Sequence, residues 1–256
     1  MSETIIATIT DVGFDKPHKK VRAACTLKTF EAARDRGITV VAVDAGSPPE
    51  YIEQMKRRNV TVIPQRVPGM GSAQRQALQA AKDLTSPSAS IVWTESEKYP
   101  LIPLLSDSIA IRNHDQYDLV MFKRNSLASY PPEQAMSYNL ISLATRYLLN
   151  IENDFGWGPT ILSSRAIDYY TSYESLYGDS WDAIHCPKLH IMKDGLPWTI
   201  LPIAYEHPPE QTVVETGMTM FMKRIEQAQQ LVGSISKEVE RIGLCGANIQ
   251  FNGGKI

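Results

Sequence analysis

The chain has 256 residues, 26 Lys plus Arg against 28 Asp plus Glu, a formal net charge of -2 and 43% hydrophobic residues. That length can bury a sizeable core in one domain, and the 21% charged fraction is ordinary for folded protein. The missing basic surplus argues against a nucleic-acid binder held by phosphate neutralisation.

No uncharged apolar stretch of about 18 residues occurs, so no transmembrane helix is expected. The start, Met1-Ser2-Glu3-Thr4, lacks the basic-then-apolar form of a signal peptide. Cys25, Cys186 and Cys245 form no CxxC pair and support neither a disulfide framework nor a structural zinc site. A reducing cytoplasm is the expected compartment.

Strand and helix signals alternate from the start. Ile5 to Thr10 is a β-rich run, and Lys20 to Arg36 carries Ala23, Ala24, Leu27, Phe30 and Ala33 at helical spacing, ended by Gly37. Ile38 to Val43 is a nearly continuous β-branched run, which marks a strand covered on both faces. The pattern then predicts a helix over Pro49 to Arg58, a strand over Val60 to Ile63, and a helix over Ser72 to Leu84 with Ser72 as N-cap. Ser90 to Thr94 is a fourth strand. This order implies a largely parallel sheet with helices on both faces. Leu101 to Ile111 and Glu133 to Leu149 follow as helices, with a strand at Asp118 to Lys123 between them. Thr160 to Leu162 leads as a strand into a helix from Ser164, and Trp198 to Ala204 is a late strand.

The last helix, Thr219 to Ile242, places Phe221, Ile225, Ala228, Val232, Ile235, Val239 and Ile242 on a heptad seam. Two readings are open: a helix packed along its own domain, or one paired with a second copy as a homodimer. Gly233 beside the seam weakens a long free coiled coil.

In an open parallel sheet, ligands bind beyond the carboxyl ends of the strands. Four such ends carry chemistry here: Thr10-Asp11, Asp44 to Ser47, Gln65 to Ser72, and Thr94 to Glu97. Glu95 and Glu97 share one face if the strand continues, because side chains repeat every two residues. Two carboxylates so placed are costly unless something positive sits between them. A divalent metal holding a diphosphate would meet that need; the plainer alternative is a loop whose glutamates point into water. Asp44 has a plain reading as a turn-former before Gly46-Ser47, and Arg75 has one as a solvated surface arginine.

Taken in order, three segments resemble the motifs of GT-A glycosyltransferases of the broad family-2-like group. Val43-Asp44-Ala45-Gly46-Ser47 stands for a strand ending in V-D-D/N-G-S. Gly69-Met70-Gly71-Ser72-Ala73-Gln74-Arg75-Gln76 stands for a Gly-rich turn entering a helix that often carries A-R-N. Ile91-Val92-Trp93-Thr94-Glu95-Ser96-Glu97 stands for a hydrophobic strand ending in D-x-D. The match covers residues 5 to 100 well and the rest in outline. Glu replaces Asp at both acidic positions, and Ala45 stands where a second acidic residue is common.

The resemblance implies an α/β fold, a GT-A-like (Rossmann-like) mostly parallel sheet flanked by helices. Within one domain, residues 1–100 would form the nucleotide-sugar-binding half and 101–218 the acceptor half, with 219–256 a C-terminal helix and tail. It implies a hexosyltransferase-type enzyme moving a sugar from a nucleoside-diphosphate donor to an acceptor hydroxyl. Asp11, Asp44, Gly69, Gly71, Arg75 and Glu95 would hold the nucleotide sugar. Glu95, Glu97 and His207, which follows the late strand, would hold Mn2+ or Mg2+. Asp182, with Asp179 in reserve, would be the base that takes the proton of the acceptor hydroxyl; a helix N-cap is the competing role.

Seven aromatics fall between Phe155 and Trp181. Aromatic faces stack on sugar C–H faces, which makes Trp157, Gly158 and Trp181 the acceptor-binding candidates. Tyr169 and Tyr173 read as core, and the other histidines, His18, His114, His185 and His190, sit in no comparable context.

Two other functions compete. A sugar-phosphate nucleotidyltransferase would resemble its relatives in a Gly-rich loop with Arg and Lys after the first strand; Thr10-Asp11-Val12-Gly13-Phe14-Asp15 has one glycine and no arginine there. A non-catalytic nucleotide-sugar-binding or scaffold protein would account for the Glu-for-Asp changes.

Overall fold

The computed structural model describes residues 3–12, 17–107 and 116–244. Gly13 to Asp15, His114, Cys245 and the end of the helix expected up to Ile111 lie outside the described residues.

The chain alternates strands and helices from its first element. β1 is Thr4–Thr10, α1 Pro17–Arg34, β2 Thr39–Asp44, α2 Pro49–Lys56, β3 Val60–Pro64, α3 Met70–Asp83, β4 Ser90–Trp93 and α4 Leu101–Asp107. Then come β5 Leu119–Arg124, α5 Pro132–Leu149, β6 Thr160–Leu162, α6 Ser164–Thr171, α7 Trp181–Lys193, β7 Trp198–Ile203, α8 Pro209–Val214 and α9 Met218–Ile242.

The seven strands form one sheet in the order β3-β2-β1-β4-β6-β5-β7. β1 lies parallel to β2 and β4, β2 to β3, and β5 to β7, while β6 runs antiparallel to both β4 and β5. The sheet is therefore mostly parallel, as the alternating pattern implies, with one reversed strand at its centre. That reversal has a consequence for the site. Trp93 pairs with Thr160, so two further steps along the register bring Gly158 opposite Glu95.

Side chains alternate between two cores, one on each face of the sheet. Ile5, Val41, Ile91, Trp93, Met121 and Leu162 face α3, α6, α7 and α9. Ile6, Val40, Val92, Val120 and Ile161 face α1, α2 and α4.

Two helix expectations change. Ser72 is not the N-cap of α3; Gly69 is, at φ 120°, and the Ser72 hydroxyl donates back to the carbonyls of Val67 and Gly69. α7 left no periodic signal because ten of its thirteen residues are buried and Pro187 interrupts it; a helix buried all round shows no amphipathic stripe.

The C-terminal part of the heptad seam of α9 lies inside the domain. Ala228, Ile235, Val239 and Ile242 are buried in the first core, and Leu231 and Ser234 join them to give a stripe broader than a heptad face. α9 packs against α5 and α7 of its own chain. That part of the seam is thus a contact within the domain, whereas Phe221, Ile225 and Val232 are half-buried. Among the described residues, no helix is long and apolar enough to cross a membrane.

Candidate active site

The carboxyl ends of β1 and β4 open into a cleft of about 340 Å3, where an open α/β sheet places its ligands. Asp11 follows β1 at the rim, and Glu95, Glu97 and Lys98 follow β4. Arg22 reaches in from α1, Trp181 from the start of α7, and Arg224 from α9. A larger cavity of about 610 Å3 lies over α5 and the end of β5, between Lys123, Arg146 and Glu152. None of the functional residues expected from the sequence lines it.

The 94–98 loop is held firmly. Thr8 donates to the Thr94 carbonyl at 2.7 Å, Ser96 and Thr26 share a hydroxyl hydrogen bond at 3.1 Å, and the Lys98 amide donates to the Glu95 carbonyl at 3.3 Å. Glu95 is half-buried, and its Oε2 is buried with no hydrogen-bond partner. Its other oxygen lies against Gly158: a Cβ there would stand 2.6 Å from Oε1. The absence of a side chain at Gly158 is what lets the carboxylate occupy this place.

Fixed cations surround the acidic pair. The Arg22 guanidinium lies 3.8 Å from Glu97 and donates twice to one oxygen of Glu215, at 3.0 and 2.8 Å. Arg224 donates to the other Glu215 oxygen at 2.7 Å and to Gln134 at 3.1 Å. Burial alone would raise the Glu215 carboxyl, but Arg22 and Arg224 outweigh it and hold it at about 2. Lys98 is 5% exposed, with Tyr205, Tyr130 and Glu95 as its nearest electrostatic neighbours. Behind Glu95, Lys188 is fully enclosed, 3.5 Å from the Trp157 carbonyl and 3.3 Å from Nδ1 of His185. Burial pushes its ammonium down to about 7, with Glu95 and Asp154 opposing.

The remaining residues expected from the sequence fall elsewhere. Asp44 is buried and its oxygens are taken by the Thr10 and Ser47 hydroxyls and the Gly46 and Ser47 amides, at 2.5 to 3.0 Å. It ties its own turn. Gly69 is exposed at the start of α3. Gly71 donates its amide to the Asp179 carbonyl, and a Cβ there would lie 2.2 Å from Asp179 Oδ1 and 2.7 Å from Cβ of Ala183. Its smallness admits the start of α7 rather than a ligand. Arg75 binds Asp179 through both carboxylate oxygens, at 2.6 and 2.7 Å; residues expected in separate donor and base roles are partners of each other.

Asp182 is 2% exposed; it accepts from the Ser175 hydroxyl, the Ser180 amide and, at 3.4 Å, the Tyr173 hydroxyl. Its carboxylate fastens the loop before α7 and does not line the cleft. Trp157 is 2% exposed, tilted 4.9 Å from Tyr205 and edge-on 6.1 Å from Phe122. It is a core residue, contrary to its expected place at an acceptor. Of the seven aromatics between 155 and 181, only Trp181 lines the cleft.

His207 stacks on Tyr130 at 4.3 Å and both its ring nitrogens are buried without partners. Burial, with Lys98 adding to it, pushes its pKa down to about 3. Among the described residues, no three His, Cys, Asp or Glu side chains come together in a way that could hold a metal ion. Glu95, Glu97 and His207 are therefore not assembled as a three-ligand metal site.

No family model and no curated protein matches the chain. Solved structures do. Glucosyl-3-phosphoglycerate synthase from Mycobacterium tuberculosis, crystallised with Mn2+, UDP-glucose and phosphoglyceric acid, superposes with a TM-score of 0.58 at 13% identity, over 95% of this chain and 80% of that one. The same enzyme with UDP alone gives 0.55 at 15% identity, over 90% and 80%. A further mycobacterial protein gives 0.57 at 13% identity, over 94% and 76%. The chain has the GT-A glycosyltransferase fold.

Within the GT-A frame, the cleft residues that sequence reasoning missed are Arg22, Lys98, Glu215 and Arg224, with Lys188 enclosed behind Glu95. Lys98 carried one signal, its place directly after the acidic pair. The others come from α1, α7, the turn after α8, and α9. They sit far apart along the chain, and only the packing of those elements against one sheet end brings them together.

Proposed function

We propose that the protein is a glycosyltransferase of hexosyltransferase type, moving a sugar from a nucleoside-diphosphate donor to an acceptor hydroxyl. The observation that carries this reading is the cleft at the carboxyl ends of β1 and β4, edged by Asp11, Glu95 and Glu97, in a GT-A fold. Asp11, exposed at the rim, suits hydrogen bonds from a nucleobase N–H or ribose hydroxyls. Glu95 lines the same cleft, where on this reading the donor sugar or diphosphate would lie. Trp181 offers an aromatic face to a sugar.

The sugar hydroxyl that attacks needs a base within hydrogen-bond reach. Asp182 is enclosed by Ser175, Tyr173 and Ser180, so we assign it to positioning the loop that carries Trp181. The carboxylates that open on the cleft, Asp11, Glu95 and Glu97, are the groups left for proton transfer. The departing diphosphate must have its charge stabilised, and Arg22 and Lys98 are the cations nearest to that place.

A thermal-shift screen of UDP-, GDP-, CMP- and dTDP-sugars, each with and without manganese, tests the reading. A ligand at a hundredfold excess over its dissociation constant stabilises by about 2.7 kcal/mol. The nucleotide sugar that shifts the melting temperature should then release free nucleotide when acceptors are added. A screen in which no nucleotide sugar shifts the transition would sink the glycosyltransferase reading; binding without any release would favour a non-catalytic binding protein.

A further inference from the structure

We infer that this cleft neutralises the diphosphate of its ligand with the protein's own cations, Arg22 and Lys98, in place of a divalent metal ion. The inference rests on the nucleoside-diphosphate reading above and concerns how that ligand is held.

The argument begins with the acidic pair. Two carboxylates after one strand need a positive partner, and the structure supplies it from within the chain. The Arg22 guanidinium stands 3.8 Å from Glu97 while clamped on Glu215. Lys98 follows the pair in the same tight loop, its backbone fixed by the hydrogen bond from its amide to the Glu95 carbonyl and by the Leu101 amide, which donates to the Lys98 carbonyl at 2.9 Å. Both side chains line the cleft. A divalent ion placed between Glu95 and Glu97 would have to compete for these carboxylates with the cations already fixed beside them.

The donor set points the same way. A hard cation sharing phosphate oxygens still needs one or two free carboxylates from the protein. Glu97 has Arg22 beside it, and one face of Glu95 is pressed on Gly158. His207, the expected third ligand, is stacked flat on Tyr130. No group of three ligating side chains forms among the described residues. An anion meets the opposite situation. Lys19, Lys223 and Arg224 also border the cleft, so an entering diphosphate finds cations on several sides. Arg22 and Arg224 are pre-oriented by Glu215, whose two oxygens hold one guanidinium each. Such a clamp spares the ligand the cost of ordering two long side chains.

The test uses the intact protein and two probes, inorganic pyrophosphate and UDP, by titration calorimetry in EDTA and again in manganese. The expected result is the same dissociation constant in both solutions. Manganese alone should leave the melting temperature unchanged. Lys98→Met should weaken both probes by about tenfold or more, the loss of one charge-assisted contact, and Arg22→Gln should act in the same direction. Lys98→Arg keeps the charge and should retain most of the affinity, which separates a role in binding from a role in folding.

Binding that appears in manganese and vanishes in EDTA would overturn the inference and leave the glycosyltransferase reading standing. Binding in EDTA that survives both Lys98→Met and Arg22→Gln, in variants that melt normally, would overturn it as well. Failure of both probes in both solutions would overturn the inference, and the four-donor screen above would then decide the reading by itself.

Discussion

Gly158→Ala places a methyl group against Glu95 and so asks whether that carboxylate works where it stands. The new Cβ would lie 2.6 Å from Oε1 and 3.1 Å from Cδ, against the 3.4 Å at which ordinary contact begins. The carboxylate must therefore retreat by about 0.8 Å. A displacement near 1 Å in a group that positions substrate costs roughly a hundredfold in rate. Overpacking of this kind costs about 1–3 kcal/mol of stability, or a melting temperature lower by very roughly 2–10 °C for a chain of this size. Gly156→Ala is the control. Its Cβ would press on Ile141 at 2.9 Å and leave Glu95 alone. Both variants should melt earlier, but only Gly158→Ala should lose turnover and donor affinity, measured by nucleotide release and calorimetry. Wild-type kinetics in Gly158→Ala would refute the assignment of Glu95 to the ligand.

Three further outcomes follow from the same contacts. Asp182→Ala removes a buried acceptor of three hydrogen bonds and should cost about 2–4 kcal/mol in denaturant unfolding, with donor affinity nearly intact; a lost donor affinity at unchanged stability would return Asp182 to the site. Glu215 has a folded pKa near 2 against 4.5 unfolded, so its contribution is complete above about pH 4.5 and is lost as the pH falls toward 2. That is worth on the order of 3 kcal/mol; Glu215→Gln should flatten this acid limb, and an unchanged limb would contradict the clamp. Ile235→Glu buries a charge in the first core and should unfold the chain rather than dissociate an oligomer, so a folded, smaller species in light scattering would reopen the seam as an interface.

Much of the sheet was legible because its signals are local. The β-branched run at 38–43 and the apolar strand at 90–94 read as buried strands, and β2 and β4 lie there. The reversal of β6 was not legible, because three residues carry no directional pattern and the pairing is fixed by strands about 40 to 70 positions away. The site divides the same way. Glu95, Glu97 and Asp11 were found because strand ends are predictable places, and they do line the cleft. Trp157 misled because glycines on both sides suggested an exposed loop, whereas they let that loop pack tightly against Ile141 and Glu95. Asp182 misled because an acidic residue at a helix start has the same sequence whether it faces a substrate or its own loop. Arg22 and Arg224 could not be found, since nothing in a helix sequence announces that two arginines 202 positions apart will share Glu215.

The reversed β6 also makes the sheet's middle its thinnest join. On either side of it, only three residue pairs connect the half that ends at β4 with the half that begins at β5. Such a short ladder is where a sheet opens at least cost, short of unfolding the whole domain. The amides of Thr160, Ile161 and Leu162 should then exchange with solvent earlier than those of β1 and β2. Because Gly158 and Glu95 face each other just past that ladder, a ligand that gathers Glu95 would brace the join from above. Slower exchange at 160–162 would thus report occupancy of a cleft that those amides never touch.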